Sequence, residues 1–291
     1  MKLTETAYGK INLYLDLTGI RADGYHEICT VMQSVSLCDT MMLEVIPHEE
    51  FSVSLICNGA DLGCGDDNLI VRAAKRMAAR YPNVSGIHRF ELEKHIPIAA
   101  GMAGGSADAA AVLRLMNRAH ELSLSTKELQ KIGATIGADV PFCICGGTAL
   151  CEGIGEKITQ FPSPDDFYLA VAIGASSVST PAAFRALDEK FHGDYSTHTG
   201  ITMIGDRFKN GESCAKQLYN LFEEVILPAD PHAGRIRALL TENHALGALM
   251  SGSGPSVFGI FASRDKAQEA VDRLKDLGYR AYLCYTIKKY A

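Results

Sequence analysis

The stretch that most constrains this chain runs from Pro97 to Asn117. It reads Pro97-Ile98-Ala99-Ala100-Gly101-Met102-Ala103-Gly104-Gly105-Ser106-Ala107-Asp108, then continues as an alanine-rich run. Small residues give way to strong helix formers, so a loop with few side chains leads straight into a helix. Such a junction gathers unpaired backbone N–H groups at the positive end of a helix dipole. Missing side chains let an anion come close to them. A tight loop before a core helix, with Ser106 as N-cap, accounts for the same residues. Alone, the stretch leaves these two readings level.

The chain has 291 residues, enough for one large domain or two ordinary ones. Hydrophobic residues make up 47% and charged residues 21%, as in globular proteins and unlike disordered chains. A net charge of -6 argues against a nucleic-acid partner, which needs a basic surface. The nine cysteines are scattered and form no C-x-x-C pair, which reads as reduced core residues in a cytosolic protein. No apolar run reaches membrane-spanning length. The residues from Met1 resemble neither a signal nor a transit peptide, so a cytoplasmic location with no membrane partner is expected. Composition leaves monomer or homodimer open.

From Thr6 to Thr18 the chain alternates. Ile11, Leu13, Leu15 and Leu17 face one way; Lys10, Asn12, Tyr14 and Asp16 face the other, which predicts a half-buried strand. Lys10 and Asn12 share a face, and spacing alone reads that face as solvated. Asp23-Gly24 predicts a turn, followed by Tyr25 and His26, which suit either a packed hairpin or a clasp on a planar base. Strands are expected at Val31 to Leu37, Met41 to Ile46 and Phe51 to Cys57. Asp66-Asp67 should cap a helix running to about Arg80. A strand from His88 to Glu93 delivers Lys94 next to the glycine stretch. Ser125-Thr126-Lys127-Glu128 is a capping box. Asp139 enters an apolar run, Val140 to Cys145, where an unpaired carboxylate would be costly.

A domain boundary is expected near Gly155 to Asp166, dividing the chain into 1–158 and 159–291. The second part reads as strand, helices, strand, loop, strand, helix, strand. Thr180-Pro181 should open a helix carrying Phe184, and Asp230-Pro231 another. Residues 192–212 are polar and contain glycine, which predicts mobility. Ser251-Gly252-Ser253-Gly254-Pro255-Ser256 forms a second glycine–serine loop between apolar strands. Mixed strands and helices in both halves indicate an α+β protein.

Several segments together resemble the GHMP kinase superfamily, in order and along the whole chain. They are Ala7-Tyr8-Gly9-Lys10-Ile11-Asn12-Leu13, Arg21-Ala22-Asp23-Gly24-Tyr25-His26, and Asp67 to Ala74. The glycine stretch, Gly137-Ala138-Asp139-Val140-Pro141 and the Ser251–Ser256 loop complete the set. The Ala-Asp-Gly-Tyr-His and Gly-Ala-Asp-Val-Pro segments resemble the branch whose substrate is CDP-methylerythritol (4-diphosphocytidyl-2-C-methyl-D-erythritol). The glycine loops identify only the superfamily.

The resemblance implies a two-domain GHMP kinase fold. Its N-terminal domain would be ribosomal protein S5 domain 2-like and its C-terminal domain a ferredoxin-like α/β sandwich. It implies ATP-dependent phosphorylation of a substrate hydroxyl. Asp139 would be the base and Lys10 the cation beside it. ATP would lie along Pro97, Ile98, Ala99, Ala100, Gly101, Met102, Ala103, Gly104, Gly105, Ser106 and Ala107, with Asn68 and Lys94 near the adenosine. The substrate would meet Asn12, Tyr25, His26, Phe184, Ser251, Gly252, Ser253 and Gly254, the cytosine lying between the Tyr25–His26 segment and Phe184. Mg²⁺ would sit between phosphates. Many members carry two serines after the glycines, whereas Ser106 is followed here by Ala107 and Asp108, which leaves the protein ligands of Mg²⁺ open. Asp108 is expected at the helix N-terminus. A different small-molecule kinase of the superfamily, of homoserine or mevalonate type, and a catalytically dead ligand sensor are the alternatives.

Overall fold

The computed structural model describes residues 1–58, 62–63, 65–162, 167–174, 179–195 and 214–288. Most of the 192–212 segment, from residue 196 on, lies outside the described residues. The chain forms two compact units, neither of them contiguous in sequence. The first comprises Met1–Gly9, Leu37–Ile98 and Ala103–Cys145; the second comprises Lys10–Ser36, Ala99–Met102 and Gly146–Ala291. Two long strands, β1 (Lys2–Ile20) and β2 (His26–Ile46), contribute one part to each unit.

In the first unit, Thr40–Ile46 of β2 pairs antiparallel with β4 (Ile87–Glu93), Thr40 opposite Glu93. β3 (Ser52–Asn58) lies parallel on the other side of β4. The helices are α1 (Leu69–Arg80), α2 (Gly104–Ala119), α3 (Thr126–Ala134) and α4 (Val140–Cys145). α1 packs on α2, and α2 and α3 pack on α4. Arg114 ties α2 to its surroundings: Nε donates to Glu5 Oε1 at 2.9 Å and Nη1 to the Cys143 carbonyl at 2.8 Å.

β2 is continuous where separate strands were expected. No Gly or Pro interrupts residues 36–40, and Asp39 finds its partners inside the protein. The apolar run after Asp139 is helix α4, buried along its whole length. Asn68, rather than Asp66-Asp67, caps α1: its Oδ1 accepts from Ile70 N at 2.9 Å. The capping box at Ser125 and Glu128 forms as the sequence implies.

In the second unit, β7 (Tyr168–Ile173), β9 (Gly247–Met250), β10 (Ser256–Phe261) and β11 (Arg280–Tyr285) form a sheet ordered β11-β7-β10-β9. All its neighbours are antiparallel. α5 (Thr180–Phe191), α6 (Glu223–Ala229) and α7 (Pro231–Glu242) follow β7, and α8 (Arg264–Asp276) joins β10 to β11. A split βαβ arrangement with this strand order is the ferredoxin-like sandwich. Ile236, Leu239, Leu240, Val257, Phe261, Val271 and Leu274 fill its core with Leu15 and Leu17 of β1. Elsewhere in this unit, Ile28–Gln33 of β2 pairs with β5 (Thr148–Gly153), which pairs with β6 (Lys157–Phe161). β1 runs parallel to the short β8 (Tyr219–Asn220). Ser179, not Thr180, caps α5, and Asp230 caps α7. Among the described residues, no helix is long and apolar enough to cross a membrane.

Candidate active site

β1 departs most from its expected half-buried state. Lys10 is 4% exposed, Asn12 1% and Asp16 2%, so the polar face is as deeply buried as the leucine face. Burial of such groups requires hydrogen bonds. Lys10 Nζ donates to Asn12 Oδ1 at 2.7 Å, and Asn12 Nδ2 donates to Thr30 Oγ1 at 2.7 Å. Thr30 Oγ1 in turn donates to the Tyr14 carbonyl at 2.6 Å. Ser251 Oγ accepts from Asn12 N at 3.3 Å and donates to the Gly101 carbonyl at 3.0 Å. Lys10, Asn12, Gly101 and Ser251 therefore form one connected network. Ser256 Oγ adds a bond to the Ala100 carbonyl, and Asn220 Nδ2 holds the carbonyls of Met250 and Gly252, both at 2.8 Å. Ser253 Oγ meets Thr180 Oγ1 at 2.9 Å. Gly254 leads into the loop's Pro255 through a cis peptide bond.

The network explains Gly101. A Cβ there would lie 2.2 Å from the Ser251 carbonyl oxygen, and φ is +73°. Gly104 is small for another reason: its Cβ would lie 2.8 Å from Lys94 Nζ. Gly105 has no such neighbour, since its Cβ would meet only Leu69 Cδ1 at 3.6 Å. Pro97, Met102 and Ala107 are buried; Ile98, Ala99 and Gly105 are exposed.

The start of α2 differs from expectation. Ala103, in left-handed conformation at φ 55°, occupies the N-cap without a side-chain bond, and Ser106 lies inside the helix. Asp108 does not serve the helix end. It is buried in the second turn, where Oδ2 accepts from Lys94 Nζ at 2.9 Å. Asp39 takes the same ammonium on Oδ2 at 2.5 Å and accepts the Ile96 N–H on Oδ1 at 2.8 Å. Burial pushes the Asp108 carboxyl well above the carboxylate range, against the pull of Lys94. Burial acts to lower Lys94, but the two carboxylates outweigh it and hold the ammonium charged. Lys94 thus ties Asp39 of β2 to Asp108 of α2. Asn68 is committed as the α1 cap and donates to the Gly63 carbonyl at 2.9 Å. Asp139 lies half-buried just before α4, in the first unit, whereas Lys10 belongs to the second.

The segment after the Asp23-Gly24 turn presents two rings differently. Tyr25 is 63% exposed. His26 is largely covered, and Phe184 stacks directly on it with centroids 4.5 Å apart and planes 22° apart. His26 and Phe184 thus stack on each other, while the Tyr25 ring stands free of that pair on the exposed side of the segment. The ring hydrogen-bonds through Nε2 to Asp188 Oδ1 at 2.8 Å, and Tyr195 OH donates to the same oxygen at 2.7 Å. Asp188, Tyr195, Thr30 and Asp39 were not singled out in the sequence. Asp188 had one available signal: it lies four residues after Phe184, on the same face of α5.

Residues 68–147 match the GHMP kinases N terminal domain and residues 208–280 the GHMP kinases C terminal domain. With the ferredoxin-like unit and the paired glycine loops, this defines a GHMP kinase, a class that takes its phosphoryl group from ATP. The Caldicellulosiruptor bescii 4-diphosphocytidyl-2-C-methyl-D-erythritol kinase is 43% identical over 92% of this chain and 93% of its own length. The Clostridium botulinum protein of that name is 40% identical over 97% of this chain and 99% of its own. The chain belongs to this kinase family. A crystal structure of 4-(cytidine 5'-diphospho)-2C-methyl-D-erythritol kinase superposes with a TM-score of 0.78 at 30% identity, covering 98% of this chain and 99% of that one. Methanococcus jannaschii mevalonate kinase, at 14% identity and a TM-score of 0.74 over 99% of both chains, shares the fold.

Proposed function

We propose that the protein transfers the γ-phosphoryl group of ATP to the 2-hydroxyl of 4-diphosphocytidyl-2-C-methyl-D-erythritol, a step of the non-mevalonate route to isoprenoid precursors. The observation that carries this is the 43% identity to a kinase of that name over nearly the whole of both chains. In this reading Asp139 takes the hydroxyl proton, and Lys10 holds charge near the acceptor and the γ-phosphate. The connected Lys10–Asn12–Ser251 network supports the role of Lys10, because its ammonium is oriented at 2.7 Å rather than loose in solvent. Positioning and electrostatics then supply most of the rate in phosphoryl transfer. The exposure of Gly105, which has no side chain to cover its backbone, supports the phosphate reading of the loop.

Among the described residues no group of three or more His, Cys, Asp or Glu could hold a metal ion. Mg²⁺ fits this chain as part of the MgATP substrate, carried by phosphates and water. The reading places the protein in bacterial cytoplasm, acting as monomer or homodimer, with domains at 1–158 and 159–291. An ADP-coupled assay with the cytidyl substrate tests it. Turnover is expected, and Asp139→Asn should lower kcat by at least about 10² while retaining ATP binding. Turnover of homoserine or mevalonate with none of the cytidyl substrate would overturn the reading. Absence of turnover on any of them would favour a ligand sensor.

A further inference from the structure

An asparagine amide fits a site either way round, since its oxygen and nitrogen ends have nearly the same shape. Its orientation decides whether it attracts a neighbouring ammonium or repels it. Asn12 faces that choice in the interior of β1, with Lys10 Nζ 2.7 Å from its Oδ1. The other end of the amide meets Thr30 of β2, which is 0% exposed. A threonine hydroxyl can serve either end, because it both donates and accepts. Here its donor is already committed. Thr30 Oγ1 gives its single proton to the Tyr14 carbonyl at 2.6 Å, so it offers Asn12 only a lone pair. Asn12 Nδ2 fills that place at 2.7 Å. Thr30 therefore takes the amine end of Asn12 and leaves Oδ1 turned toward Lys10. The hydroxyl is itself held by the sheet: β2 carries Thr30 between β1 and β5, opposite Cys151. Ser251 acts on the backbone of Asn12 instead. Its Oγ accepts from Asn12 N at 3.3 Å and donates to the Gly101 carbonyl at 3.0 Å, while Oδ1 lies at 3.5 Å.

We infer that Thr30 is a positioning residue for the phosphoryl transfer: its hydroxyl, aligned by the Tyr14 carbonyl, fixes the Asn12 amide so that Oδ1 holds the Lys10 ammonium. The inference rests on the reading of Lys10 as the cation near the transferred group and adds the residue that orients it. Thr30, enclosed in the sheet, acts through Asn12 alone. Without the hydroxyl, Asn12 Nδ2 would face a buried apolar surface with an unmet donor. The amide would gain by rotating toward another acceptor, and that rotation takes Oδ1 away from Lys10. An ammonium held in place beforehand needs no reorganisation as charge develops in the transition state. The loss should therefore fall on kcat and leave ground-state binding nearly unchanged.

Thr30→Val keeps the shape of the side chain and removes the hydroxyl, whereas Thr30→Ser keeps the hydroxyl. For both, kcat and the KM values for ATP and the cytidyl substrate are measured, together with a thermal melt. Lys10→Met and the double variant Lys10→Met, Thr30→Val complete a cycle. Thr30→Val should lower kcat about tenfold or more, with both KM values within about threefold of wild type. Thr30→Ser should restore most of that rate. In the Lys10→Met background Thr30→Val should cost nothing further, because the two residues act as a unit. A lower melting temperature with kcat retained is what a merely structural threonine gives, and it overturns the inference. So does a Thr30→Val loss of equal size with and without Lys10. If the valine variant does not fold, a neutron structure of the wild-type protein decides. A Thr30 deuteron directed at the Tyr14 carbonyl supports the inference, and one directed at Asn12 overturns it. Lys10→Met tests the underlying reading separately: an unchanged kcat there removes Lys10 from the reaction, whereas a fall in kcat that Thr30→Val does not share sinks the inference about Thr30 alone.

Discussion

At the scale of single residues, the glycines of the loop separate into packing and ligand roles. Gly101 is fixed by the Ser251 carbonyl and its own positive φ. Gly101→Ala should cost more than about 2 kcal/mol, read as a lower midpoint in urea unfolding. Gly105→Ala should leave stability equal or up to about 1 kcal/mol higher, because alanine is the better helix residue. Its KM for ATP should nevertheless rise, since a methyl group would enter the approach to the backbone. An unchanged KM would take Gly105 out of the phosphate site. Lys94 shows why a loss of function must be read with care. Lys94→Met leaves Asp39 and Asp108 buried without their cation and should destabilise the fold by about 3–5 kcal/mol. A melting temperature close to wild type would show that the ammonium serves nucleotide rather than fold. Spacing identified the small residues; it did not say which contact made each one small.

At the scale of elements, β4 and α2 are joined by a histidine pair. His88 Nδ1 donates to the Gly86 carbonyl at 3.1 Å, so His88 Nε2 is the acceptor for His120 Nε2–H at 2.7 Å. Burial holds both imidazoles below their ordinary range. A second proton would set two donors against each other. The unfolded chain takes up protons near pH ~6.5, before the folded protein does, so stability rises with pH through this window. It is fully present above about 6.5 and declines as pH falls through the depressed folded values. Thermal melts from about pH 7.5 to about 5 should show this slope, and His120→Gln should flatten it. A slope untouched by that substitution would assign the acid sensitivity elsewhere. Helix ends were the most legible elements: the Ser125 box and the Asp230 cap stand where the sequence puts them. The Asn68 and Ser179 caps fall one residue from expectation, because adjacent polar residues compete for one position and only the local backbone decides.

For the whole molecule, compact units and sequence order diverge. The glycine stretch leaves the first unit after Ile98, enters the second for Ala99–Met102, and returns at Ala103. Gly101 and Gly105 thus answer to different surroundings, although four residues separate them. A chelator should abolish turnover yet leave the melting temperature of the nucleotide-free protein unchanged, as expected where the metal arrives with ATP. A fall in melting temperature on chelation would reveal a resident ion. The order of strands and helices gave an α+β protein, and the family resemblance implied the ferredoxin-like sheet that the second unit forms.

The sequence by itself determined what depends on neighbours in the chain: the alternation of β1, the loop-to-helix junction, the capping signals and the segments shared with the kinase family. Tertiary structure alone decided whether a polar face meets water. Lys10, Asn12 and Asp16 alternate like a solvated strand, yet Thr30 and Ser251, distant in sequence, both bond Asn12 on that face, and Asn12 in turn accepts from Lys10. It also paired Lys94 with Asp39 across 55 positions and His26 with Asp188 across 162. Periodicity records a direction along one element. Desolvation and charge pairing depend on what the rest of the chain brings to that direction, and no spacing encodes it.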